Sequence, residues 1–187
     1  MEQSEASEVK GLWFVTAKDY ILEHHGSHAF DQIVWRLDKP LRPVLTDCLT
    51  SEWYPEIALS EALAGMSAVL ARGVEPRFRE IIAECTTFGV NRFFRALLGV
   101  TSPRFVMRRV PAMWKHVRRG AGRVEVCDTP SGTLVRYRDF PRFYDPNYRT
   151  LTLGSLTALL RICSSDEPKI GIKSYDASSL DVEIVHD

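Results

Sequence analysis

The sequence has no glycine-rich phosphate loop, no cysteine pair at zinc or redox spacing and no strand-turn-helix nucleophile elbow. None of the local arrangements that cradle a phosphate, hold a structural metal or activate a serine is therefore written in it. Apolar runs approaching the roughly 18 residues of a membrane span are missing, and so is a charged-then-apolar leader, which leads to the expectation of a cytoplasmic protein with no transmembrane segment. Cysteine is scarce. Cys48, Cys85, Cys127 and Cys163 are far apart and sit within apolar patterns, as reduced core thiols do and a disulfide framework does not. Net charge is zero.

What is present is the composition of one globular domain. At 187 residues, 45% of them hydrophobic and 26% charged, the chain can bury a substantial core without disulfides or a structural metal. Residues 1–9 are expected as a disordered tail and 10–187 as one α+β domain, mainly helical over 10–119 and β-β-α-β-β over 120–187. Thr16 with Asp19 starts a helix that Gly26 stops, and Ser27 caps a second carrying Phe30, Val34 and Leu37 until Pro40 and Pro43. After a loop, Pro55 opens a third helix that Arg72 and Gly73 close. Pro76 opens a fourth, through Phe78, Ile81, Cys85, Phe88 and Leu97 to Gly99. Ser102-Pro103 starts a fifth, which Pro111 is expected to break in two.

Gly120 and Gly122 mark the change to strands. Arg123 to Asp128 and Thr133 to Asp139 alternate about the turn Pro130-Ser131-Gly132, and Lys169 to Tyr175 and Leu180 to His186 do the same about Asp176-Ala177-Ser178-Ser179. Between these hairpins, an aromatic loop from Phe140 to Tyr148 precedes a buried helix bearing Leu151, Leu153, Leu156, Leu159, Leu160 and Ile162. The expected architecture is a helical N-terminal part packed on a small antiparallel sheet of two hairpins flanking one helix.

Charge is unevenly distributed despite its zero sum. From Arg72 to Arg149 there are 16 Lys/Arg against 7 Asp/Glu, and the rest of the chain carries 8 against 17. A basic middle invites an anionic partner, or pairs internally with the acidic flanks. Arg108, Arg109, Lys115, Arg118, Arg119 and Arg123 form the densest basic run and are the candidate anion-binding residues. Among the aromatics, Trp53, Phe88, Phe93, Trp114 and Tyr148 are candidates for an apolar pocket, although aromatics at helical spacing first serve burial. His24, His25 and His28 are the only histidine cluster, and Gly26 interrupts the helix that would present two of them to a metal. Ser27 and Ser60 lack a base and an orienting carboxylate nearby in sequence.

One resemblance rests on the order of landmarks. Lys10-Gly11, His25-Gly26, Trp53-Tyr54-Pro55, Phe88-Gly89, Pro103, Pro111, a hairpin, Tyr148, Gly154-Ser155-Leu156 and a closing hairpin resemble an uncharacterised paralogous family of myxobacterial proteins. That family is similar in layout to a superfamily of haem-nitric-oxide-binding sensors, vinyl-reductase-type small-molecule-binding domains and Bet3-type trafficking subunits. The resemblance implies helices packed on an antiparallel sheet, with an internal pocket in some members and a dimer or scaffold surface in others. Haem sensors of this layout use a proximal histidine and a Tyr-x-Ser-x-Arg motif. Neither Tyr148-Arg149-Thr150 nor Tyr175-Asp176-Ala177-Ser178 supplies that motif, and His116 is the one histidine placed to serve. The trafficking subunits attach an acyl chain through a cysteine, for which Cys48 and Cys85 are the loose counterparts. The expectation is a non-enzymatic sensory or scaffold domain without a cofactor, a homodimer in some settings, that binds an apolar small molecule or a protein partner. Nucleic-acid or other polyanion binding through residues 104–123 is the alternative.

Overall fold

The computed structural model describes residues 7–93, 102–164 and 166–185. Leu97, Gly99 and His186, placed by the sequence at the ends of elements, lie outside the described residues. Within them the order is β1 (Glu8–Lys10), α1 (Gly11–Arg36), a 3-10 turn (Lys39–Leu41), α2 (Arg42–Thr46), β2 (Trp53–Pro55), α3 (Glu56–Leu70), α4 (Glu75–Phe93) and α5 (Pro103–Val117). Then follow β3 (Arg118–Arg119), β4 (Arg123–Thr129), β5 (Gly132–Arg138), α6 (Pro146–Cys163), β6 (Lys169–Tyr175) and β7 (Leu180–Val185).

Glu8 and Val9 belong to a strand, so the disorder expected over residues 1–9 does not extend to them. The first helix likewise starts at Gly11 rather than Thr16, because buried Phe14 extends the apolar stripe of Ala17 and Ile21 one turn earlier. Gly26 does break it: at φ 81° and ψ 169° the backbone leaves the helix there, a conformation a side chain opposes. The expected break at Pro111 is absent, and α5 runs through it. Proline removes one backbone hydrogen bond, at a cost of about 3 kcal/mol or more. Burying Val106, Met107, Val110 and Trp114 on one face of α5 outweighs that loss, at about 1.5–3 kcal/mol for each large apolar side chain.

Two antiparallel sheets result. The larger has strand order β4-β5-β7-β6, so the last strand inserts between the two hairpins. Its register places Val126, Val135, Val182 and Ile172 in one row and Val124, Tyr137 and Leu180 in the next. These rows face the core. The opposite face carries charges that pair across strands, with Arg138 2.5 Å from Asp181 and Lys173 3.8 Å from Glu183. The smaller sheet, β2-β1-β3, comes from strands of two or three residues that the sequence does not announce. There Val9 pairs with both Tyr54 and Arg118. A side-chain period needs more residues than these strands have.

α5 and α6 lie on the larger sheet, α4 runs along α6, and α1 packs on α3 and α4. No single helix among the described residues is long and apolar enough to cross a membrane. The α4–α6 crossing is set by Gly154, where an added Cβ would stand 2.8 Å from the Arg79 carbonyl oxygen and 2.7 Å from Ile82 Cγ2. Backbone cannot yield as a flexible side-chain tip can. Gly154→Val is expected to lower stability by about 1–3 kcal/mol, the usual cost of overpacking, measured as a shifted urea midpoint at unchanged slope. An unshifted midpoint would show that the two helices separate freely.

Candidate functional site

Helices and sheet meet around one buried carboxylate. Glu56 is the first residue of α3, and its side chain is 1% exposed. Strand β2 delivers it to the interior, β1 lies beside it, and the Glu56 amide donates to the Ser7 carbonyl at 3.0 Å. Its Oε1 accepts from Arg118 Nε at 3.2 Å and from the Tyr148 hydroxyl at 3.0 Å, and its Oε2 accepts from Ser7 Oγ at 3.3 Å. The Tyr148 proton is shared with the Glu56 carbonyl oxygen, also 3.0 Å away. A helix N-terminus favours negative charge, so α3 itself adds to the stabilisation of the carboxylate.

The Arg118 guanidinium is nearly as buried, with 10% of its side chain exposed. It lies 4.5 Å over the Trp114 ring and 5.4 Å over Phe140. Phe140 in turn meets Trp114, Phe143 and Tyr148 edge-on, with ring centroids 5.0, 5.4 and 5.7 Å apart. Tyr137 closes the set against Trp114 and Phe143 at 5.5 and 5.7 Å. Five aromatic side chains and one ion pair thus fill the junction. Burial and the neighbouring Glu56 carboxylate raise the Tyr148 pKa, and burial alone raises that of Tyr137.

The apolar-pocket candidates divide among four places. Trp114 and Tyr148 belong to this junction. Trp53 lies on β2 between Lys10 and Arg119, whose cations sit 4.5 and 4.8 Å from its ring. Phe88 packs on Tyr20 and His24, and Phe93 is exposed at the end of α4 beneath Arg92.

Most anion-binding candidates have partners inside the chain. Arg108 pairs with Asp128 at 2.6 Å, Arg118 with Glu56, Arg119 with Glu8 at 2.5 Å, and Arg123 with Glu125 and Asp139. Arg109 lies 4.9 Å over the Phe105 ring. No carboxylate among the described residues is paired with Arg104, Arg109 or Lys115.

A second polar cluster lies between α1 and α4. The Tyr20 hydroxyl donates to Glu84, and His24 stacks on the Tyr20 ring at 4.6 Å. His25 Nε2 is enclosed without a hydrogen-bond partner, and burial followed by the neighbouring His24 lowers its basicity. His28 bonds to Gln32 at 2.9 Å. No group of three or more metal-ligating side chains occurs among the described residues. Ser60 Oγ donates to Asp145 at 3.3 Å with no histidine between them, which gives no activated nucleophile. The cysteines are free thiols, and burial pushes Cys85 up to about 12 and raises Cys48, against formation of a reactive thiolate.

The haem of the resembling sensors does not fit these residues. The enclosed crevice between α4, α5 and α6 measures about 20 Å³ and is lined by Val90, Phe105, Val106, Arg109, Met113, Leu159, Ile162 and Cys163. That is room for about one water, whereas cofactor-sized sites take about 300–1,000 Å³. A cleft of about 450 Å³ at the sheet end is lined by Gly120, Ala121, Gly122, Arg123, Asp139, Pro141 and Ser178. Neither lining includes a histidine, and His116 is exposed in the last turn of α5. A further tyrosine, Tyr137, stands near the end of β5. Tyr137 is followed two and four positions on by Asp139 and Pro141, so the motif's serine and arginine are missing there too.

Two measurements address the junction. Removing one member of a buried pair strands the other, so Arg118→Met is expected to cost about 3–5 kcal/mol, and the double variant Glu56→Leu/Arg118→Met less than the sum of the two single changes. Additive losses in a double-mutant cycle would mean that the two groups are not coupled. Tyr20, Tyr137 and Tyr148 all have pKa values raised above the ordinary 10. Such groups keep their proton when folded and lose it when unfolded, so their contribution to stability is intact below pH 10 and declines as pH rises beyond it. Their tyrosinate absorbance near 295 nm should appear together with the loss of circular dichroism, not before it.

Compared with protein-family models and with curated proteins, the chain matches none. Solved structures do match. An Fe(II) unliganded H-NOX protein from K. algicida superposes with a TM-score of 0.66 at 12% identity, over 94% of this chain and 95% of that one. A point mutant of T. Tengcongensis H-NOX gives 0.65 at 17% identity, over 94% and 96%. An oxygen-binding H-NOX domain related to soluble guanylate cyclases, in its oxygen complex, gives 0.62 at 16%, over 94% of each chain. The α+β fold of this chain, six helices and two antiparallel sheets among its described residues, is the H-NOX fold, that of the haem-nitric-oxide-binding proteins.

Proposed function

We propose that this chain is a non-enzymatic sensory or scaffold domain of the cytoplasm that uses the H-NOX fold to present a surface to a protein partner. The observation that carries this reading is the filled junction. Where helices meet sheet, Trp114, Tyr137, Phe140, Phe143 and Tyr148 pack edge to face and the Glu56–Arg118 pair closes the gap. The alternative of an apolar small molecule requires this cluster or the crevice of about 20 Å³ to open. Opening the junction separates a buried ion pair, which is costly in an apolar interior. The same argument disfavours haem: the enclosed crevice has no room for it, and neither lined site supplies an axial histidine.

Charge supports a surface role as well. The internal pairs of Arg108, Arg118, Arg119 and Arg123 take up most of the basic run, and what is left is a small cationic area. A nucleic-acid groove usually draws on more cations, since affinity grows with each phosphate neutralised.

The test is native mass spectrometry of protein expressed with haem precursor supplied, together with its visible absorption spectrum. The expected result is a mass of 21.3 kDa or a multiple of it, unchanged in composition by denaturation, and no Soret band. An excess mass that denaturation releases, or a Soret band in stoichiometric yield, would overturn the proposal in favour of a ligand-holding sensor.

A further inference from the structure

Helix α1 is fastened at two places, to two different helices. Ahead of its kink, Thr16 packs so closely on α4 that a Cβ added at Gly89 would stand 2.8 Å from Thr16 Cγ2. Beyond the kink, Ile33 packs on α3, where a Cβ added at Gly65 would stand 3.1 Å from Ile33 Cγ2. Gly26 lies between these anchors in a backbone conformation that leaves the helix, and no atom of another described element comes within 4 Å of where its Cβ would be. The two halves of α1 thus meet at a joint that no neighbour clamps.

His25 is the residue beside that joint. Its ring meets Tyr20 edge-on at 5.7 Å, and its Nε2 is enclosed with no hydrogen-bond partner. A neutral imidazole carries one N–H, whereas an imidazolium carries two and needs an acceptor for each. None faces Nε2. Helices α2, α3 and α4 pack on α1, and the charges that act on His25 are Glu84 and Arg77 of α4 together with His24 of α1 itself. Arg77 and a protonated His24 oppose a further positive charge. Glu84 favours one, but it already accepts from the Tyr20 hydroxyl, and burial and His24 outweigh it.

We propose that His25 and Gly26 form an acid-operated hinge, in which protonation drives the His25 ring out of its enclosed site and α1 turns at Gly26 as the ring leaves. The anchors at Thr16 and Ile33 keep each half on its own helix, so the motion is confined to the segment between them. What it uncovers is the contact of α1 with α4 built from Tyr20, His24 and Phe88, whose rings lie 4.6, 5.8 and 6.1 Å apart. The direction of the response follows from linkage. Opened, His25 binds its proton at the ordinary histidine value of 6.5, and closed, it binds it only at lower pH. Below 6.5 the open form therefore holds more protons, so the closed form is fully favoured above that pH and loses ground as pH falls beneath it.

The test is an NMR titration of the full chain from about pH 8 to about pH 5, the range in which histidines change charge. It reads the imidazole resonances and the amide hydrogen exchange, the latter corrected for its intrinsic dependence on pH. His25 is expected to titrate below 6.5. Protection of the amides from Ile21 to Phe30 should fall several-fold toward acid, while that of β5 and α6 stays constant, as local opening requires. His25→Gln and His25→Leu, neither of which takes up a proton in this range, should each hold the protection of α1 constant across it. Their thermal midpoints confirm the fold, and the wild-type titration decides the matter even where a variant does not fold. Titration of His25 at or above 6.5, retention of the pH response in a folded His25 variant, or loss of protection spread evenly over helices and sheet would overturn the proposal.

Discussion

The pairing of Glu56 with Arg118 is the constraint on which the rest of the structure depends. A carboxylate with 1% of its side chain exposed is costly to bury without a cation and further donors, and here the group and its partners come from four separate stretches of chain. Ser7 comes from the lead into β1, Glu56 from the join of β2 and α3, Arg118 from the start of β3 and Tyr148 from the first turn of α6. Each of those elements contributes a member to this one set of hydrogen bonds. The small sheet can therefore be so short. Its strands of two and three residues bury little, but they hold the backbone that delivers the ion pair.

The two hairpins were legible in the sequence to within a residue at nearly every boundary, because period-two alternation and a Pro-Ser turn are local signals. Gly26 was legible for the same reason, since only the backbone at one residue is involved. Local signals failed where tertiary burial outweighed them. Pro111 reads as a helix break, yet four buried side chains hold α5 together across it. The junction itself could not be read. Arg118 stood among candidate anion binders and Tyr148 and Trp114 among pocket aromatics, while the partners of Glu56 lie 62 and 92 positions away. The one hint was Glu56 itself, a carboxylate directly ahead of the apolar run of α3, at a position the helix then turns inward.

A shared fold does not require a shared interior, because the two rest on different residues. The H-NOX architecture follows from helix crossings and sheet register, which need small or β-branched residues at a few contacts and tolerate wide change elsewhere. Whether that architecture encloses a ligand depends on the side chains that point into the junction. Here they are Trp114, Phe140, Phe143 and Tyr148, large enough to meet one another across it. At 12–17% identity with the matching structures, the fold is what this chain has in common with them.

The strand order β4-β5-β7-β6 has a consequence for how the chain reaches this state. β7 is the last strand in sequence but an interior one in space, so the inner edge of β5 has no hydrogen-bonding partner until more than forty residues further along have been added and folded back. Helix α1 with α3 and the hairpin β4-β5, whose contacts are nearer in sequence, can assemble first, and the sheet closes in a later step. Until then the Gly132–Arg138 edge is an open template for any other strand, and it is the arrival of Leu180–Val185 that ends that exposure.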